Sequence, residues 1–114
     1  MQIKTTRDGK TVAIIPATGP KFGTEADAVD LMGSLFGSEA DCVGIPIERC
    51  DPDFFDLANR KLGLFTQKFV NYGLGIVFVG DLSAKSASSK PLNDFVVETR
   101  RGGPVRFALT VEAI

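Results

Sequence analysis

The chain has 114 residues, with 13 Lys+Arg against 14 Asp+Glu, and it contains no histidine and no tryptophan. The missing histidine excludes Ser-His and Cys-His nucleophiles and all histidine metal ligands, which removes much of the hydrolase repertoire. A formal net charge of -1 offers no basic excess to a nucleic acid, so none is expected as a partner.

Hydrophobic residues at 44% and charged residues at 24% can supply one full core, and residues 1–114 are expected to form a single α/β domain. The near-neutral total is a cancellation. Residues 1–57 hold 5 basic and 10 acidic side chains, whereas residues 58–114 hold 8 and 4.

Ile3 to Ile15 reads as a β-hairpin, in which Asp8-Gly9 suits the positive φ angles of a two-residue turn. Pro16, Gly19, Pro20 and Gly23 mark a surface loop. Thr24 is placed as an N-cap, with Asp27 as its capping-box partner. Ala28, Leu31, Met32, Leu35 and Phe36 then form one apolar stripe of a helix ending at Gly37.

Asp41 to Ile47 alternates like a strand, with Val43, Ile45 and Ile47 on one face and an end made irregular by Pro46. Asp51-Pro52 resembles an N-cap followed by proline at the first helical position. It opens a helical segment with the stripe Ala58, Leu62, Phe65, Phe69 and Tyr72, closed by Gly73. Leu74 to Gly80 is apolar on both faces, which points to a central parallel strand covered by helices on each side.

Ser83 to Lys90 lacks periodicity and is expected as a mobile loop. Pro91 starts a further helix that stops at Gly102-Gly103-Pro104. Val105 to Leu109 is the last strand, and Thr110 caps a terminal turn over residues 111–114. The order ββαβαβαβ implies right-handed crossovers and a small mixed sheet flanked by helices.

The longest apolar run, Ile76 to Val79, is far too short for a membrane span, and no membrane partner is expected. Cys42 falls in a strand and Cys50 in the loop after it, too far apart along an extended chain for a disulfide. Two free thiols fit a reducing compartment, and a cytoplasmic location follows as the expectation.

Asp53-Phe54-Phe55-Asp56-Leu57, Gln67-Lys68-Phe69-Val70-Asn71-Tyr72-Gly73 and Val79-Gly80-Asp81-Leu82-Ser83 resemble the bacterial family called domain of unknown function 4180. Ala28 to Met32, Asp94-Phe95 with Glu98, and Val111 to Ile114 extend the resemblance over most of the chain. It implies no activity. The order of elements is also similar to the STAS domains of sulfate transporters and anti-sigma-factor antagonists, which implies a regulatory module that works through protein partners. The phosphorylatable hydroxyl of those domains has no counterpart in Cys50-Asp51-Pro52-Asp53-Phe54-Phe55-Asp56. Fold alone does not fix function.

Candidate chemistry gathers where strands end. Glu48, Asp51, Asp53 and Asp56 follow one strand and Asp81 another, at the ends where open α/β sheets bind ligands. Asp53, Asp56 and Asp81 are candidate ligands for Mg²⁺, with Arg60 as an anion clamp, in a metal-assisted enzyme. The competing reading assigns the same acids to helix N-termini and turns, and no cofactor. Phe54 and Phe55 are adjacent, so one ring is a candidate partner-binding anchor.

Arg100-Arg101 before Gly102-Gly103 reads as an anion cradle or as dipole complementarity at a helix end. Cys50, beside acids, is expected to be inert. The favoured reading is a non-enzymatic module that binds a protein partner or a small ligand through Asp53, Phe54, Phe55, Asp56, Arg60 and Asp81. A homodimer formed through a sheet edge or the hairpin remains open.

Overall fold

The computed structural model describes residues 2–6 and 9–114. Strands β1 (Gln2–Thr5), β2 (Thr11–Ile14), β3 (Cys42–Pro46), β4 (Gly75–Val79) and β5 (Val105–Ala108) form one sheet in the order β1-β2-β3-β4-β5. The first pair is antiparallel and the others are parallel, so the sheet is mixed and the fold is α/β. Helix α1 (Glu25–Leu35) joins β2 to β3, and α2 (Lys61–Asn71) joins β3 to β4. Helices α3 (Ser83–Ser88) and α4 (Lys90–Thr99) join β4 to β5.

Alternation along the strands divides the sheet's side chains between two faces. Ala13, Val43, Ile45, Ile76 and Phe78 meet Leu31 of α1, Leu62, Phe65 and Phe69 of α2, and Leu92 of α4. Val12, Ile14, Cys42, Val77 and Val79 face the other way, against Ala108, Val111 and Ile114. The helices therefore pack on one face only, which corrects the expectation of helices on each side of residues 74–80.

The reason is topological. Each crossover steps to the next strand in the same direction, and connections of one hand then lay every helix on the same side. The apolar pattern of β4 signalled burial on both faces, but on the second face the C-terminal segment supplies it. Lys4 Nζ, from the far strand of the sheet, donates to the Val111 carbonyl at 2.7 Å and fastens that segment down.

Local signals mostly set the boundaries. The Thr24 hydroxyl accepts from the Asp27 amide at 3.1 Å, and the Asp27 carboxylate accepts from the Thr24 amide at 3.0 Å, completing the capping box. Phe36 falls at the extended C-cap of α1 and is 94% exposed, so the buried stripe ends at Leu35. In the hairpin, the Thr6 amide donates to the Lys10 carbonyl at 2.8 Å. That pair leaves three positions between its members, one more than a two-residue turn. Asp8 of the expected Asp8-Gly9 turn lies outside the described residues.

Two segments differ from expectation. Residues 52–55 form a turn and Leu57–Asn59 a short 3-10 turn, so α2 begins only at Lys61. Arg60, at φ 64°, breaks the path between them. Asp56 accepts from the Ala58 amide at 3.2 Å, and the Asn59 side chain bridges the Asp53 carbonyl and the Lys61 amide at 2.7 and 2.9 Å. These local bonds compete with helix. Ser83 to Ser88, expected as a loop, is helical because Leu82 is buried and anchors its start while Ala84, Lys85 and Ala87 favour helix.

Candidate functional site

The C-terminal ends of β2 and β3 are closed by the chain itself. Arg49, 8% exposed, donates to the carbonyls of Pro16, Thr18 and Pro20 at 2.9, 3.1 and 2.9 Å. Its guanidinium also lies 4.8 Å from the centre of the Phe22 ring. Phe22 and Cys50 form an isolated parallel bridge, which zips the 16–23 loop against the segment after β3. Two glycines let the parts close. A Cβ on Gly23 would lie 1.8 Å from Asp51 Oδ2, and one on Gly80 would lie 2.5 Å from Ile47 Cγ1.

The acidic residues placed here are occupied with this closure. Asp53 Oδ1 pairs with Lys61 Nζ at 2.8 Å, and that hydrogen bond holds its carboxyl below the usual range. Lys61 also reaches Asp51 Oδ2 at 3.7 Å. Asp56 caps the 3-10 turn. Asp81 Oδ1 accepts from the Ser83 amide at 2.9 Å, and the hydrogen bonds to Ser83 lower its pKa as well.

Among the described residues no three His, Cys, Asp or Glu side chains come together as a group able to hold a metal. The proposed Mg²⁺ set of Asp53, Asp56 and Asp81 is not drawn together, because Asp53 is held by Lys61 while Asp56 and Asp81 each cap a local turn. The lowered carboxyl pKa values of Asp53 and Asp81 also run against a general acid poised near neutrality. Arg60 lines an apolar hollow with Leu57, Leu64 and Phe95, and Asp81 is not among its lining residues.

Phe54 is 0% and Phe55 5% exposed, so neither ring can serve as an exposed anchor. The turn at residues 52–55 wedges both inward. Their centroids lie 5.2 Å apart at 80°, and they pack edge-on to Phe65 and Phe78 at 5.3 and 5.6 Å. Both thiols are buried and free. Burial pushes Cys42 up to about 11 and Cys50 up to about 12, the latter helped by Asp51. Burial and the raised pKa agree with the expectation of an inert Cys50.

Beyond β4 the rim opens. A groove of about 810 Å³ runs from Gly80 and Asp81 past α3 and α4 to Arg100 and Arg106, along Phe107 and Leu109. Neither Asp53 nor Asp56 lines it. β5 is the last strand of the sheet on this side. The Ile76 amide donates to the Pro104 carbonyl at 2.8 Å and the Gly80 amide to the Ala108 carbonyl at 2.9 Å. Positions 104, 106 and 108 thus turn their backbone groups toward β4, and those of Val105 and Phe107 point to the open edge.

With this geometry in place, the comparisons with known proteins are short. The family described as domain of unknown function (DUF4180) matches residues 7–114. The chain belongs to that family. No curated protein matches the chain, and no solved structure does. Membership in the family brings no activity with it, and the similarity to STAS domains finds no support from a solved fold.

Among the described residues no helix is long and apolar enough to cross a membrane. Sequence reasoning missed Arg49 and the β5 groove. Arg49 had no local signal, because its acceptors, the carbonyls of Pro16, Thr18 and Pro20, lie 29 to 33 residues away. The groove had no signal, because it depends on β5 being an edge.

Proposed function

We propose that this chain is a protein-binding module that takes up an extended acidic segment of a partner on the open edge of β5. The observation that carries the reading is an unpaired strand edge lying in the groove of about 810 Å³, with Arg100 and Arg106 beside it. An extended peptide adds to such an edge through main-chain hydrogen bonds, and pockets for its alternate side chains give specificity. Neither arginine enters an ion pair among the described residues. A carboxylate on the incoming strand would therefore find a guanidinium without a competitor.

The same charge argues against a second copy as the occupant. Antiparallel pairing of two β5 edges about their midpoint would put two Arg106 side chains on one face, directly opposite or nearly so. A binding role agrees with a STAS-like reading of the element order, although without a phosphorylation switch. A cytoplasmic location agrees with two free, buried thiols.

The test is a nuclear magnetic resonance titration with an acidic hexapeptide that alternates Glu and Val. The amides of Val105, Phe107 and Leu109 should shift and gain protection from hydrogen exchange. Arg100→Glu should weaken binding about tenfold. Leu109→Pro, which removes a backbone donor just beyond β5 at an exposed position, should abolish binding with little change in Tm. An absence of shifts at millimolar peptide would overturn the proposal. So would concentration-dependent dimerisation that protects the same amides without peptide.

A further inference from the structure

A second opening lies at the opposite end of the sheet. The N-terminal ends of β3, β4 and β5 border a cleft of about 690 Å³, within the size range of small-ligand sites. Lys10 and Arg106 line it together with Asp41, Cys42 and the Gly102-Gly103 loop. The two cations share this one cleft with Cys42, and both favour the anion of its thiol.

Among the described residues neither cation has an ion pair or a side-chain hydrogen bond. The Asp41 carboxylate, by contrast, already accepts from the Thr11 amide at 2.9 Å. The loop adds uncovered backbone. Gly102 and Gly103 have φ of 103° and 118°, and a Cβ on either would meet nothing within 4 Å. The Gly103 amide has no backbone acceptor among the described residues.

We infer that this cleft is an anion site of the phosphate class, with Arg106 and Lys10 as its charged donors and Gly103 as a backbone donor. A planar guanidinium can grip two oxygens of one phosphate, an ammonium supplies a movable point charge, and a glycine lets backbone come close. The site is separate from the β5 edge reading. Arg106 lines both openings, Lys10 only the cleft, and Arg100 only the groove.

The experiment titrates the protein at low ionic strength with inorganic phosphate and, separately, with phenyl phosphate. The Gly103 amide and Arg106 Nε signals should shift and saturate below about 20 mM. Lys10→Gln and Arg106→Gln should each weaken binding by about fivefold or more, while Arg100→Gln should leave it unchanged. All three positions are exposed, and an unchanged Tm verifies the fold of each variant.

Tighter binding of phenyl phosphate would place the head of an organic ester in the cleft, and equal binding would place free phosphate there. Three results would overturn the inference: no shift at about 20 mM phosphate, the same shifts with chloride at matched ionic strength, or equal weakening by Arg100→Gln.

Discussion

Arg49 gives the sharpest test of how the rim at the strand ends is held. Replacing it with alanine removes three hydrogen bonds to the Pro16, Thr18 and Pro20 carbonyls and the contact over Phe22. A hydrogen bond from a charged donor is worth about 1.5–3 kcal/mol where both partners are buried. Residues 16–20 are exposed, so water can replace the donor, and about 1 kcal/mol per bond is the better figure. The ring contact adds about 0.5–1 kcal/mol.

The expected loss is then about 3–4 kcal/mol in urea unfolding, or roughly 10–15 °C in Tm for a chain of this size. Gly19 provides the internal control. It has φ of 140°, and a Cβ there would lie 2.8 Å from Arg49 Cζ. Gly19→Ala should cost about 1–3 kcal/mol in the natural chain, and about 1 kcal/mol less once Arg49 is alanine, because only the backbone strain remains. If Arg49→Ala costs less than about 1 kcal/mol, or if Gly19→Ala costs the same in both backgrounds, Arg49 does not clamp the loop.

The other expectations concern the core, the helix cap, acid and the thiols. Phe54→Ala should destabilise by about 3–5 kcal/mol by opening a cavity among the rings, whereas Phe36→Ala, at a fully solvated cap, should stay within about 0.5 kcal/mol by thermal unfolding. Thr24→Ala should cost about 1 kcal/mol, read in the same assay.

Burial alone would raise the Asp27 pKa, but hydrogen bonds from Gly23 and Thr24 outweigh it and the net shift is downward. A depressed carboxyl contributes stability above its unfolded value of 3.8 and loses it as pH falls through the lower folded value. Acid unfolding followed by circular dichroism should therefore begin below about pH 4, and the Asp27→Asn variant should show a smaller loss across that window. With thiols at about 11 and 12, neither Cys42 nor Cys50 should react with an aromatic disulfide at pH 8 until the chain is unfolded.

What the sequence made legible was local. The Thr24–Asp27 capping box, the α1 stripe and the strands around Val43 and Phe78 rest on residues within a turn or two of one another. Asp51-Pro52 misled for the same reason. It has the composition of a helix start, but Asp51 instead sits over Gly23 and pairs with Lys61. The contacts of Arg49 span 29 to 33 residues, and no local pattern announces them. Phe54 and Phe55 were legible as adjacent rings, one of them a candidate anchor. Whether one ring stayed in solvent depended on Phe65, Phe78 and Phe107, which come from three other elements.

Asp53 and Asp56 share no crevice with Asp81, for a reason written in the strand order. Such crevices open where the order reverses and successive helices part to opposite faces of the sheet. Here the order β1-β2-β3-β4-β5 never reverses and the core helices share one face, so nothing draws the loops apart. The 16–23 loop and Arg49 fill the space instead. Asp27, Asp51, Asp53, Asp56 and Asp81 are left to cap turns and hold Lys61.

The same order leaves β5 and α4, the last elements of the basic half of the chain, at the edge of the molecule. Arg100 and Arg106 stand there without an ion pair among the described residues, while Asp51 and Asp53 are held by Lys61. Part of the charge cancellation in the composition is made by contact, since Lys61 and Lys68 pair with Asp51, Asp53 and Glu25. The consequence is directional: salt should weaken acidic-peptide binding at the β5 edge while leaving the Asp27 cap nearly untouched, since only the former pairs charges through open solvent.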